Sequence, residues 1–404
     1  MLTVDQFRRA RDVLGGVLLD TSLVYSPYFT AAYGNRVYFK PENLQVTGAF
    51  KVRGAYYKVS TLSQEEKACG LVTASAGNHA QGVAYAAKAA GVAATIVMPT
   101  TTPLVKVNNT KSYGAETVLH GSCYDESYAL AETIAREQGK TLVHPFNDLD
   151  VAIGQGTVAY EIFKDLPDVD VILVPVGGGG LATGVATLAK LLNPNIKVYG
   201  VEPSGAACVA ACREAGRLVS LENVVTIADG VAVKTPGDRL LPYLLENLDG
   251  IIRIDDDELV DAFLDMMEKH KMIVENAGLL TVAALSHIAE RDKNVVSILS
   301  GGNMDVITIA SLVQHGLINR GRVFSFSVLL PDRPGELLAV ARVVSEERGN
   351  IIKLDHNQFV SINRQSAVEL RVTLEAFGHE HKARIIAALE AAGYDARVIG
   401  TTAI

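Results

Sequence analysis

The sequence predicts an α/β protein built on an open parallel sheet, followed by a separate small domain of βαββαβ order. Three observations carry that prediction. Continuous apolar runs of strand length alternate with helix-patterned segments, as in sheets covered on both faces. Polar and glycine-rich motifs stand at the carboxyl ends of those runs, where open α/β sheets gather ligands. Near residue 320 the style changes to alternating strands and two short helices.

Taken in order, the N-terminal MLTVDQFRRARDVLGGVLLD mixes charge with a short apolar run and lacks a signal-peptide layout. In TGAFKVRGAYYKV (47–59), apolar residues at 52, 55, 56 and 59 mark one helix face, with Thr47 as the expected N-cap and Lys51 in the first turn. GLVTAS (70–75) reads as a buried strand and AGNHAQGVAYAAKAAG as the helix after it. ATIVMP (94–99) precedes a helix running through Tyr113. VDVILVPV (169–176) passes through four glycines into LATGVATLAKLL, IKVYGVEP (196–203) follows, and NVVSILS (294–300) comes last. HGLINRGR is a polar joint, which divides the chain into 1–320 and 321–404. Beyond it RVFSFSVLL alternates as a strand. A helix is predicted over 334–348, with Asp332 and Pro334 as start signals and Gly349 as the stop. Strands at 350–358 and 366–374, a helix at 378–391 and a final strand YDARVI complete the ferredoxin-like order.

Composition narrows the function. The chain has 404 residues, 49% of them hydrophobic, and a net charge of −8 from 45 acids against 37 bases. A large core is expected and disorder is not. No basic block appears and Trp is absent, so nucleic acid is not an expected partner. Every long apolar stretch is interrupted by polar residues, so no membrane span is expected. The cysteines at 69, 123, 208 and 212 are sparse, which suits a reducing cytoplasm. Cys208 and Cys212 are spaced like some zinc ligands, but no second Cys/His pair follows nearby, and no metal is expected.

Lys51 is the first chemical anomaly. The positive end of a helix dipole disfavours a cation, and Arg53 lies two residues on, so the position suits an amine used in its neutral form. PVGGGGLATG (175–184) is the most specific local signal. Consecutive glycines let backbone N–H groups approach an anion closely, with a helix N-terminus behind them, and a phosphate is the expected occupant. Two rivals stand beside that reading: a tight strand–helix turn, and a dinucleotide fingerprint. Gly177, Gly179 and Ala182 match G-x-G-x-x-A, and Glu202 ends the next strand. SAGNHAQG (75–82) opens a helix whose N–H groups, with the Asn78 amide, suit a carboxylate or a ring hydroxyl. The plain alternative is that Ser75 caps the helix and Asn78 satisfies a turn. Ser300 in SGGNMD presents either a neutral hydroxyl at the sheet's edge or an ordinary cap. Together a phosphate cradle, a discouraged amine and a hydroxyl fit the phosphate, aldehyde and pyridine nitrogen of pyridoxal phosphate.

TGAFKVRGA, SAGNHAQGVA, PVGGGGLATG and SGGNMD, in this order, resemble the threonine/serine dehydratases (threonine ammonia-lyases), pyridoxal-phosphate enzymes with the fold of the tryptophan synthase β subunit. VLLPDRPGELLAV and RGNI resemble an ACT domain, a module that commonly binds amino acids. The resemblance implies a fold-type II enzyme of two open α/β lobes followed by an ACT domain. It implies that Lys51 forms a Schiff base with the cofactor and that Asn78 contacts its ring hydroxyl. Ser75, Ala76, Gly77, Asn78 and His79 would hold the substrate carboxylate. Gly178, Gly179, Gly180 and Leu181 would bind the phosphate and Ser300 the ring nitrogen, while Gly230 and Glu275 would line the ring. Gly335, Asn350 and Ile351 would form an amino-acid effector site, and the chain would assemble as a homo-oligomer, a dimer or tetramer.

Three positions depart from relatives. Ala49 replaces a serine common before the Phe-Lys pair, and Ala76 stands where related serine racemases carry a proton-donating serine. Their divalent-ion triad would be Glu202, the Ala206 carbonyl and, here, Cys208, which is a poor oxygen-site ligand. The expected reaction is β-elimination and deamination of threonine to 2-oxobutanoate and ammonia, and of serine to pyruvate. The motifs do not rank the two substrates or choose between a catabolic role and isoleucine biosynthesis. Competing classes are another β-eliminating or β-replacing enzyme, an NAD-linked dehydrogenase, and a non-catalytic amino-acid sensor.

Overall fold

The computed structural model describes residues 2–357 and 368–401, so residues 358, 366 and 367 of the predicted strands lie outside it. Contacts divide the chain into two compact units, Met1–Asp305 and Val306–Ile404. The polar joint near 320 places this division later. Helix Val306–Asn319 packs on strand Val323–Leu330 and so groups with the C-terminal unit.

The first unit contains two parallel sheets where the apolar runs suggest one. The larger is ordered Val24–Tyr25, Arg36–Pro41, Asn294–Leu299, Val171–Pro175, Lys197–Pro203, Gly250–Ile254, and only its first pair is antiparallel. The smaller is ordered Glu116–Leu119, Ala94–Met98, Leu71–Ala74, Thr141–Leu142. The central runs VILVP, ATIVM, LVTA and NVVSIL are buried along their whole length, as strands covered on both faces must be. The strand pattern misses Arg36–Pro41 because Arg36 and Lys40 interrupt its apolar run, and Thr141–Leu142 because it is two residues long.

Helix Lys51–Thr61 packs closely on helix Leu149–Asp165. A Cβ at Gly54 would lie 2.6 Å from the Val151 carbonyl, and one at Gly154 would lie 2.7 Å from the Arg53 carbonyl. The Gln155 side chain accepts the Gly54 N–H at 3.1 Å across the same contact. A buried charge cluster holds the other side. Arg53 donates to both oxygens of Glu42 at 2.7 and 2.8 Å and to those of Glu161 at 2.6 and 2.8 Å. Lys40 pairs with Glu161 and stands 3.7 Å from Glu42. Thr21 donates to Glu42 at 2.7 Å. Burial alone would raise the Glu42 pKa, and Arg53 overrides it to leave the carboxyl lowered. The helix that begins at Lys51 is therefore fixed two residues later.

The C-terminal unit is an antiparallel sheet ordered Asn350–Asn357, Val368–Glu375, Val323–Leu330, Arg397–Ile399, with helices Glu336–Glu346 and His379–Ala391 completing the βαββαβ order. Phe326, Val344, Leu370 and Ile385 centre its own core. The first helix starts later and ends earlier than 334–348. Its stop is not Gly349: Arg348 takes the left-handed φ of +63°, while Gly349 is needed because a Cβ there would lie 2.9 Å from Val344.

Candidate active site

Lys51 is the first residue of its helix. Thr47 does not cap it. Gly48 turns the chain at φ +72°, so the Thr47 hydroxyl reaches only the Ala49 carbonyl, at 3.4 Å. Lys51 Nζ donates to the Pro145 carbonyl at 2.8 Å and lies 5.4 Å from the Phe50 ring centroid. Burial lowers its pKa to about 8, with the Glu275 carboxylate pulling the other way. The helix N-terminus acts with burial. This amine exchanges its proton near neutral pH, where an ordinary lysine stays charged.

Glu275 precedes helix Asn276–Ala283 and is buried. Both its oxygens accept from the Asn78 amide, at 2.8 and 3.0 Å. A Cβ on Gly301 would collide with this carboxylate, and one on Gly230 would lie 3.8 Å from it. Burial pushes the Glu275 pKa up to about 7, against the Asn78 hydrogen bond. Ser300, also buried, follows the strand Asn294–Leu299. Its carbonyl accepts the Phe50 N–H at 3.0 Å, and Ala49 bridges to Gly301, so this strand end is strapped to the start of the Lys51 helix.

Ser75 is not a helix cap. Gly77 occupies that position before helix Asn78–Ala90, and the Ser75 hydroxyl accepts the Gly77 N–H at 3.2 Å. The N–H groups of Ala76, Asn78 and His79 find no acceptor among the described residues. His79 Nε2 lies 3.0 Å from the Val143 carbonyl, which can only accept, so this nitrogen carries the proton. Its Nδ1 is buried without a partner among the described residues, and burial holds the ring's pKa down to about 3.

Gly177–Gly180 join strand Val171–Pro175 to helix Gly180–Leu192. Gly179 sits at φ +97°, where only glycine is unstrained. A Cβ on Gly178 would lie 2.2–2.4 Å from three atoms of the Phe146 ring. The N–H groups of Gly178, Gly179, Gly180 and Leu181 have no acceptor among the described residues, which leaves four buried donors at a helix N-terminus. The dinucleotide alternative loses its acid. The Glu202 carboxylate accepts the N–H groups of Val209 and Ala210, at 2.8 and 2.9 Å, and so caps helix Cys208–Ala215. Cys208 Sγ stands 3.7 Å from the same carboxylate, and burial raises the thiol's pKa so that it stays protonated.

Lys51, Asn78, the glycine loop, Glu275, Gly230 and Ser300 thus all lie within the first unit, Asn78 and Glu275 in direct contact, whereas Gly335, Asn350 and Ile351 lie in the second. Gly335, at φ +99°, precedes helix Glu336–Glu346, and Asn350 donates to Glu375 at 3.2 Å. Sequence reasoning missed the turn His144–Asn147. There His144 Nδ1 accepts the N–H groups of Phe146 and Asn147, at 3.2 and 2.9 Å, and so shapes the loop that carries the Lys51 acceptor. It also missed Asn303, the residue directly after the two glycines that follow Ser300. No local spacing marks either one, because each acts through a distant segment.

The family of pyridoxal-phosphate dependent enzymes matches residues 16–301. The L-threonine ammonia-lyase of Thermotoga maritima is 40% identical over 401 residues, 99% of this chain and 100% of that protein. The processed form of threonine deaminase isoform 2 from Solanum lycopersicum superposes with a TM-score of 0.73 at 37% identity, over 78% of this chain and 94% of that one. Maize serine racemase gives 0.73 at 35% identity, over 79% and 98%.

Proposed function

We propose, for a chain that belongs to the pyridoxal-phosphate dependent enzymes and within them to the L-threonine ammonia-lyases, that this site converts L-threonine to 2-oxobutanoate and ammonia. L-Serine would yield pyruvate by the same route. The observation that carries the reading is the Lys51 amine, brought to a pKa of about 8 among buried polar groups of matching chemistry. The residues fit the cofactor. The four free N–H donors at Gly178–Leu181 suit its phosphate, the Asn78 amide its ring hydroxyl, and the Ser300 hydroxyl its ring nitrogen. Gly230 and Glu275 would flank the ring. Bound, pyridoxal phosphate supplies the electron sink that acidifies the substrate's Cα hydrogen and lets the β-hydroxyl depart.

The chain's own groups do the rest. Lys51 Nζ, once free and neutral, takes the Cα proton, a task that matches its lowered pKa. The unpartnered N–H groups of Ala76, Asn78 and His79 hold the substrate carboxylate, beside Ser75 and Gly77. Ser300 offers a neutral hydroxyl where a carboxylate would enforce ring protonation, which favours prompt elimination over a long-lived carbanion. Ala76 lacks a proton to deliver to the opposite face, so elimination is favoured over racemisation.

Purified protein assayed with both amino acids for 2-oxo acid and ammonia tests the reading. Absence of both products from protein carrying a borohydride-reducible cofactor on Lys51 would overturn it.

The C-terminal unit is read as an ACT domain in which Gly335, Asn350 and Ile351 receive an amino-acid effector; its βαββαβ topology and left-handed Gly335 support this. Isoleucine, valine, threonine and serine scanned by thermal shift should include one that raises the melting temperature, by mass action on the native state. Exposed Leu329, Leu338, Phe377 and Val398 on that unit support a homo-oligomer, which light scattering would weigh. Among the described residues no helix is long and apolar enough to cross a membrane, and the four cysteines are free, which supports a cytoplasmic setting.

A further inference from the structure

Asn303 is joined to the site by a polar chain whose starting point cannot be reversed. Its Nδ2 donates to the Thr47 carbonyl at 2.7 Å and to Asn78 Oδ1 at 2.8 Å. A backbone carbonyl only accepts, so the Thr47 contact fixes which end of the Asn303 amide faces it. The same NH2 group then meets Asn78 and can be answered only by that residue's oxygen. Asn78 must therefore turn its own NH2 group the other way, toward the two oxygens of Glu275 at 2.8 and 3.0 Å.

Amide orientation is ordinarily a matter of which neighbours are present. Here the Thr47 carbonyl, acting through Asn303, fixes the same orientation that an ionised Glu275 favours from the other side, and it holds that orientation when Glu275 is protonated. The Gly48 turn makes the arrangement possible. A Cβ at that position, besides being strained at φ +72°, would lie 2.5 Å from Asn303 Oδ1. The turn is held in place as well, since the Gly302 N–H donates to the Gly48 carbonyl at 2.9 Å.

We propose that Asn303 is a positioning residue: through Thr47 and Gly48 it locks the Asn78 amide with its donor face toward Glu275 and the cofactor ring hydroxyl. The proposal rests on the reading of Asn78 given above. Without the lock, the amide could rotate and present an oxygen to an oxygen.

The isosteric variant Asn303→Asp tests this. A carboxylate there accepts and cannot donate, so it draws the Asn78 NH2 group toward itself and turns Oδ1 to the ring. Pyridoxal phosphate titrated into apo-enzyme should bind about tenfold to a hundredfold more weakly, the range for one hydrogen bond to a charged group. The visible band of the bound cofactor should shift. In an Asn78→Ala background the same substitution should change neither quantity, because the group it acts through is gone. Asn303→Ser, whose single hydroxyl cannot serve both acceptors, should give an intermediate loss and covers the case in which the aspartate variant does not fold. Equal losses with and without Asn78, or wild-type affinity and spectrum in both variants, would refute the lock. Failure of the wild-type apo-enzyme to take up cofactor at Lys51 would refute the reading of Asn78 itself.

Discussion

Replacing Arg53 with methionine should unfold the catalytic unit at markedly lower temperature without touching a reacting atom. The guanidinium is fully buried and makes two hydrogen bonds to Glu42, two to Glu161 and one to Thr157 at 3.2 Å. With Lys40 it balances two carboxylates, so its removal leaves the cluster with a net negative charge. Glu42 would keep only the Thr21 hydroxyl and Lys40 at 3.7 Å. Breaking such a buried pair from one side costs about 3–5 kcal/mol, because a desolvated charge is left behind. At about 2–4 °C per kcal/mol for a domain of this class, the melting temperature should fall by roughly 6–20 °C.

The pH dependence gives a second check. In the wild type the Glu42 pKa is lowered, so its contribution is present above the unfolded carboxyl value and is lost as pH falls through the folded one. In Arg53→Met the folded pKa rises instead, so the deficit against wild type should grow with pH between about 4 and 8. Neutralising the abandoned acid in Arg53→Met/Glu42→Gln should recover more than half of the lost stability at pH 8. Scanning calorimetry of the three proteins at pH 5 and pH 8 measures both effects. A double variant no more stable than the single one, or a deficit independent of pH, would refute the electrostatic account.

Lys51→Ala should abolish deamination while circular dichroism and melting temperature stay near wild type, since its amine makes one hydrogen bond, to Pro145. In apo-enzyme the rate of covalent attachment of pyridoxal phosphate should rise with pH through about 8, because the neutral amine is the nucleophile. Glu275→Gln should move that inflection lower, by removing the charge that favours the ammonium. Gly178→Ala should lose cofactor, read as visible absorbance per chain, because its Cβ would lie 2.2 Å from the Phe146 ring. Pairing it with Phe146→Ala should restore part of the occupancy if the clash is the cause. Unchanged absorbance in the single variant would show that the ring can move aside.

Strand–helix alternation, the buried character of the central strands and the βαββαβ tail were legible in the sequence because each is a local pattern of period and burial. So were the glycine run, and the oddity of a lysine at a helix start. Local patterns did not show that the parallel strands divide between two sheets, because LVTA and VILVP are equally apolar and carry no mark of which neighbour they will pair with. The capping prediction failed at Thr47, and the capping alternative weighed for Ser75 fell, for a related reason. A cap depends on the backbone angles between it and the helix, and the turns at Gly48 and Gly77 place both hydroxyls out of register.

The sequence by itself determined the kinds of group available: an amine, an amide, a hydroxyl and a backbone that can approach an anion. Only the tertiary structure decided their chemical state. Burial sets the Lys51 amine near neutrality and raises Glu275, the Pro145 carbonyl arrives from a loop 94 residues away, and the Thr47 carbonyl orients Asn78 through Asn303. Solvation and hydrogen-bond direction are properties of what surrounds a group, and those surroundings come from parts of the chain that no local pattern connects.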